Sequence, residues 1–264
     1  ELSTIAFDKT GTLTQGRPQV TDILLSAEAE QLLAVWVSME RQANHPLAQA
    51  IVARYADLPV LDLEVSNQMG QGLYADYQGH SYQVAKPTAF EAVAPDYGRQ
   101  GREWESQGKT VVYLAQNQVV LGAVALMDIA KDDARQTLDY FKQVGVKTVM
   151  LTGDAELTGQ VIGQQLGILS VQAQVMPDQK AEAIRKLMGK HQIVAMVGDG
   201  VNDAPALASA SLGIAMGQGT DVAMETADVI LVRDQLQSLS YLHRLAKKHD
   251  RIIWQNIGFS MLVV

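Results

Sequence analysis

The apolar run Leu2-Ser3-Thr4-Ile5-Ala6-Phe7 ends abruptly at Asp8-Lys9-Thr10-Gly11-Thr12-Leu13-Thr14, and this junction constrains the fold more than any other stretch. The run reads as a short buried strand. A carboxylate at the end of such a strand, followed at once by a Gly/Thr-rich loop, is placed to attack an electrophile. The backbone N–H groups of the loop can gather around a phosphate. Aspartates that become aspartyl-phosphates belong to the known carboxylate nucleophiles.

A strand with its reactive residue at its carboxyl end needs a parallel sheet around it, and the second half of the chain offers one. Residues 118 to 234 alternate strand-like and helix-like segments, the pattern of a parallel sheet with covering helices. The strands are expected at Val119 to Leu126, Thr148 to Leu151, Val171 to Val175, Ile193 to Val197, Leu212 to Ala215 and Val229 to Val232. Helices are expected over Asp132 to Gln143, Glu156 to Leu166, Pro177 to Met188 and Asp203 to Ser209. Pro177 suits a first helical turn, where its missing N–H is no loss. Because Leu2 to Phe7 has no helix of its own nearby, it most simply joins this later sheet. Residues 18 to 117 then become an insertion, with two helical stretches before several strand-like runs separated by glycines, an α+β pattern.

Three further clusters follow in order. Thr152-Gly153-Asp154 ends one strand, Pro177-Asp178-Gln179-Lys180 opens a helix, and Gly198-Asp199-Gly200-Val201-Asn202-Asp203 follows another strand. Residues just past the carboxyl ends of strands in a doubly wound sheet converge on one crevice. Asp8, Thr152 and Asp199 all hold such positions. Three carboxylates (Asp8, Asp199, Asp203) about 4 Å apart would repel by roughly 4 kcal/mol per pair at an effective dielectric near 20. Lys180 offsets one charge only. An all-oxygen site that also takes a phosphate suits Mg²⁺.

These elements resemble the four haloacid-dehalogenase motifs in the form carried by the P-type ATPases, and specifically the heavy-metal-transporting branch. The resemblance implies an α/β haloacid-dehalogenase-like fold, a doubly wound parallel sheet with an inserted α+β nucleotide-binding domain. Carried over residue by residue, it makes Asp8 the nucleophile and Mg²⁺ ligand, with Thr10 offering its backbone carbonyl to the same ion. Thr152 and Lys180 hold the phosphoryl group, beside Gly153 and Asp154. Asp199 binds Mg²⁺, and Asp203 with Asn202 completes that site. The implied cofactors are ATP and Mg²⁺.

In the insertion, Asn44-His45-Pro46 resembles the His-Pro element of that branch, where the histidine lies against adenine, and Glu40 stands where the family has a glutamate near the base. Gly70-Gln71-Gly72 matches a Gly-x-Gly loop whose bare backbone lets a nucleotide approach. Two positions depart from the pattern. Ala85-Lys86 stands where the family has a Gly-Asn pair, so the asparagine contact to nucleotide is lost or replaced by the Lys86 ammonium, and Lys131 stands in the interdomain hinge element where arginine is commoner.

Composition narrows the partners. The formal net charge of −8 argues against nucleic acid, and the absence of cysteine excludes a disulfide scaffold or thiolate metal site. The end of the chain differs from the rest: Arg244, Lys247, Lys248 and Arg251 precede Ile252 to Val264, a run with Trp254 near its start. Bases beside a tryptophan and then an apolar run look like the cytoplasmic approach to a membrane span. The expected domains are therefore 1–17 with 118–245 for phosphorylation, 18–117 for nucleotide, and 246–264 as the start of a transmembrane helix. The expected partners are ATP, the heavy-metal ion carried by a parent pump, the membrane, and the actuator and transmembrane domains of the same polypeptide. A free-standing phosphatase or phosphotransferase on the same fold is the alternative.

Overall fold

The computed structural model describes residues 2–68, 71–154, 156–189 and 192–263. The chain divides into two compact units, one of residues 1–15 and 130–264, the other of residues 16–129. Strand β1 (Leu2–Asp8) opens the first unit, and β2 (Thr14–Leu25) leads out of it. The second unit continues with α1 (Ala27–Arg41), α2 (Pro46–Arg54), β3 (Val65–Gln68), β4 (Gly72–Tyr77), β5 (His80–Ala85), α3 (Pro95–Ser106), β6 (Thr110–Gln116) and β7 (Val119–Ala130). The chain then returns through α4 (Ala134–Gln143), β8 (Lys147–Leu151), α5 (Glu156–Leu166), β9 (Ser170–Gln172), α6 (Pro177–Met188) and β10 (Ile193–Gly198). It ends with α7 (Ala204–Ser209), β11 (Leu212–Met216), α8 (Asp221–Thr226), β12 (Val229–Leu231) and α9 (Gln237–Val263).

The first unit is built on a parallel sheet in the order β12-β11-β10-β1-β8-β9. β1 is flanked by β10, with Phe7 opposite Val197, and by β8, with Asp8 opposite Leu151. After β1 the chain builds outward on one side (β8, β9), then crosses to the other (β10, β11, β12). The point of reversal lies between β1 and β10, where a crevice opens outside the strand ends. Ala6, Leu151, Val194 and Met196 pack with Ile184 of α6 and Leu207 of α7, which fixes the helices on the sheet. Each of the larger of these side chains (Leu151, Val194, Met196, Ile184 and Leu207), fully buried, contributes about 1.5–3 kcal/mol.

The second unit is a sheet in the order β2-β7-β6-β5-β4-β3, antiparallel from β3 through β7. Its core centres on Trp36 of α1, whose indole N–H donates to the Ala115 carbonyl at 3.0 Å. The strand Val119–Ala130 corrects the sequence reading, which placed it in the parallel sheet. Only Asn117 and Gln118 separate it from β6, with Gln116 opposite Val119, and both have left-handed φ (49° and 66°). A two-residue loop of that conformation joins antiparallel strands and cannot make a parallel crossover. The units accordingly divide near Ile129/Ala130. One further difference is local: Thr14–Leu25 is a strand that the sequence pattern does not reveal.

The amino end of α9 packs on α4, where the Tyr140 hydroxyl lies 2.8 Å from His243 Nδ1. From Arg244 to Met261 every residue of α9 is exposed, Trp254 and Phe259 among them. No helix of the described residues is long and apolar enough to cross a membrane.

Candidate active site

Asp8 ends β1, the central strand, and its side chain is buried. The next residues turn sharply: Thr10 is extended (φ −73°, ψ 128°) and exposed, and Gly11 is left-handed (φ +73°). A Cβ at Gly11 would lie 1.7 Å from Asp199 Oδ2. Backbone conformation and space therefore both require glycine there, and the loop after Asp8 rests directly on Asp199.

Lys180, in the first turn of α6, reaches back across the sheet end. Its ammonium donates to Asp8 Oδ1 at 2.6 Å and to Asp203 Oδ1 at 2.7 Å, and all three groups are buried. The other oxygen of Asp203 accepts from the backbone N–H groups of Asp199 and Gly200, each at 3.2 Å. This bond shapes the turn that carries Asp199. Asn202, in the same turn, is exposed. Asp8, Asp199 and Asp203 can each present an oxygen within 4.8 Å of the others.

The charges do not balance. Burial, and then the Asp203 charge, push Asp8 up to about 7 against the opposing pull of Lys180. The same two causes raise Asp199 to about 6, partly offset by Lys131. Burial works against the Lys180 ammonium, but the Asp8 and Asp203 charges outweigh it and hold its pKa above the ordinary value. Lys180 thus bonds two of the three acids, and Asp8 and Asp199 both resist ionising. An oxygen donor set of this kind fits a small, hard divalent cation.

Thr152 is buried just past β8, and its hydroxyl accepts from the Asp154 N–H at 3.1 Å. Gly153 between them is exposed. Asp154 pairs with Lys9 at 2.5 Å. Lys9 is a participant that sequence reasoning passed over. Nothing local to Lys9, which opens the turn after β1, announces a partner as distant as Asp154. Asp234 was also missed. It receives the Lys131 ammonium from a loop with no recognisable motif.

The residues expected to bind nucleotide lie in the second unit. Glu40, in the last turn of α1, is buried, and burial alone pushes it up to about 7. It lines an open hollow of about 560 Å³ together with Asn44 and Gln49. His45 is exposed and caps α2, its Nδ1 accepting from Leu47 N–H at 3.2 Å. Gly72 is left-handed (φ +91°), and a Cβ there would meet the Val84 carbonyl at 2.2 Å. Lys86 is exposed at the turn before Pro87. His45, Gly72 and Lys86 are outside the lining of the hollow, and Gly70 lies outside the described residues.

A parallel sheet with a buried aspartate ending its central strand, a lysine bonded to it and a distal acid pair defines a class. Over residues 2–211 the chain matches the family model of the haloacid dehalogenase-like hydrolases. Among individual proteins, the zinc-transporting ATPase of Bacillus subtilis (strain 168) is 41% identical over 269 residues, covering 98% of this chain and 42% of that protein. The crystal structure of a zinc-transporting PIB-type ATPase in the E2.Pi state matches with a TM-score of 0.86 at 40% identity, over 97% of this chain and 43% of that one. The catalytic domain of the CPx-ATPase CopB-B matches with a TM-score of 0.73 at 30% identity, over 92% of this chain and 89% of that domain. The chain belongs to the heavy-metal P-type ATPases, a branch of the haloacid dehalogenase-like hydrolases. It spans about two fifths of the length of the curated relative it matches.

Proposed function

We propose that this chain is the ATP-binding and phosphorylation region of a heavy-metal-transporting pump, and that Asp8 accepts the γ-phosphoryl group of ATP. One observation carries the reading: Lys180 bridges Asp8 and Asp203 with Asp199 alongside, at the carboxyl ends of adjacent parallel strands. An Asp8 carboxylate oxygen attacks Pγ, the Pγ–O bond to ADP breaks, and ADP departs with that electron pair. The Lys180 ammonium neutralises an equatorial phosphoryl oxygen as charge develops, and the Thr152 hydroxyl donates to another. Asp8, Asp199, Asp203 and the Thr10 carbonyl would hold Mg²⁺, which supplies charge neutralisation between carboxylate and phosphate.

The 16–129 unit supplies the nucleotide. His45 offers a ring to stack on adenine, Glu40 accepts from its exocyclic amine, and the bare Gly72 backbone admits the nucleotide. Lys86 adds a positive charge for its phosphates. The basic, then apolar, exposed half of α9 supports a continuation into the membrane, which would place this region on the cytoplasmic face, with the actuator and transmembrane domains as partners in one polypeptide. The cargo is a heavy-metal cation, as for the zinc-transporting relative.

Two paired measurements test this. Nucleotide titration of wild type against His45→Ala should show weaker ATP binding by the variant. ATP-dependent, acid-stable phosphorylation should appear in wild type and vanish in Asp8→Asn. Equal affinities in the first pair, or label retained on Asp8→Asn, would remove the assignment.

A further inference from the structure

Lys131 is the residue immediately after β7, where the chain re-enters the parallel-sheet unit, and its side chain is buried. Its backbone N–H donates to the Leu13 carbonyl at 2.9 Å, so the outgoing and returning strands are joined at this point. Its ammonium donates to two groups distant in sequence. One is the carbonyl of Gly11 at 2.8 Å, within the loop that follows Asp8. The other is Asp234 Oδ1 at 2.5 Å, in the loop between β12 and α9.

A second bond fastens the same place. Two residues on, Asp133 Oδ2 accepts from the backbone N–H of Gln237, the first residue of α9, at 2.9 Å. The short segment 131–133 therefore grips the foot of α9 with one hand and the Asp8 loop with the other. An ammonium needed only for charge balance would be satisfied by Asp234. Here it also takes the carbonyl of Gly11, where an added Cβ would run into the Asp199 carboxylate.

We propose that Lys131, anchored by Asp234, is a positioning residue for phosphoryl transfer. It fixes the Gly11 carbonyl, which sets the seat of the loop between Asp8 and Asp199, and it makes that seat dependent on where the foot of α9 stands. A shift of α9 that draws Asp234 away pulls the ammonium from Gly11 and loosens the loop. Lys131 does not touch the substrate; it acts through Gly11. The catalytic part of this inference rests on the proposed phosphorylation of Asp8, whereas the clamp itself does not.

The test uses the whole chain as Lys131→Met, Lys131→Arg and Asp234→Asn. Hydrogen exchange followed by mass spectrometry reads the peptide over residues 9–14 without nucleotide. In Lys131→Met and Asp234→Asn its exchange should accelerate about tenfold, while peptides of α6 and β10 stay unchanged. The rate of acid-stable labelling should fall between about tenfold and a hundredfold, with ATP affinity within about twofold of wild type, because a displacement near 1 Å suffices for such a loss. Lys131→Arg, which can reach both acceptors, should restore both readouts. Thermal melts identify any variant that fails to fold, and Asp234→Asn then carries the test. Exchange in residues 9–14 unaltered by Lys131→Met and Asp234→Asn overturns the clamp. So does an arginine variant no better than methionine. A wild type that takes no label overturns the proposed function instead, and leaves the exchange result standing as the test of the clamp.

Discussion

The two units solve opposite problems. At the end of the parallel sheet, Lys180 bonds to buried Asp8 and Asp203, and half-buried Asp199 can bring an oxygen within 4.8 Å of both acids. In the antiparallel unit the candidate nucleotide residues are mostly exposed, and the single buried charge, Glu40, has no ammonium or guanidinium bonded to it among the described residues. Transfer chemistry needs charges at fixed separations, so each residue there constrains the next. A nucleotide can be held by a ring, a bare backbone and a positive tip, and such features tolerate exchange.

The largest expected effect bears on the crowded site. Replacing Lys180 by methionine leaves Asp8 and Asp203 facing each other without their cation, and should lower stability by about 3–5 kcal/mol. Urea unfolding at pH 8 measures it, and excess Mg²⁺ should recover part of the loss. A change below about 1 kcal/mol would mean that the acids share protons instead, and that the contrast between the units is overstated.

The next effect belongs to the antiparallel unit. Burial raises Glu40 from an ordinary 4.5 to about 7, so between those values the folded state keeps a proton that the unfolded chain has lost. Its stabilising contribution is complete below about 4.5 and disappears as pH rises through about 7, a span worth about 3 kcal/mol. Asp8 and Asp199 titrate in the same sense in the other unit. The informative quantity is therefore the difference between wild type and Glu40→Gln, followed through Trp36 and Trp104 fluorescence in urea. Glutamine should be the more stable at pH 8, and the advantage should vanish at pH 4. Parallel pH profiles would show that the Glu40 carboxylate is solvated after all.

The smallest effect probes why β7 belongs to the antiparallel unit. Gln118 sits at φ 66°, where a side chain strains the backbone. Gln118→Gly should stabilise the hairpin by about 0.5–1 kcal/mol in the same urea experiment. A destabilised variant would indicate that the side chain, and not the turn conformation, holds β6 and β7 together.

Much of the crowded site was legible in the sequence because its parts are local signals. The apolar run before Asp8, Pro177 opening α6 ahead of Lys180, and the glycines around Asp199 each mark a strand end or helix start from neighbouring residues. What escaped was pairing across distance. Nothing near Val119 states which sheet it joins until Asn117-Gln118 is seen to be a two-residue turn. Lys9 reads as part of a motif until Asp154 is found beside it. Thr14–Leu25 is an edge strand whose alternation is interrupted by Pro18 and Gly16, so its pairing comes from the sheet it joins.

The sequence by itself determined the strand that ends at Asp8, the order of the motifs and the presence of an insertion, because strand ends, helix starts and turn residues are set by interactions within a few residues. Only the tertiary structure decided that Lys180 would stand between Asp8 and Asp203, that β1 would lie between β8 and β10, and that Lys131 would tie Gly11 to Asp234. Those contacts join residues from 23 to 172 positions apart. The geometry of such pairs is set by how the helices and strands pack, and no local pattern in the chain carries it.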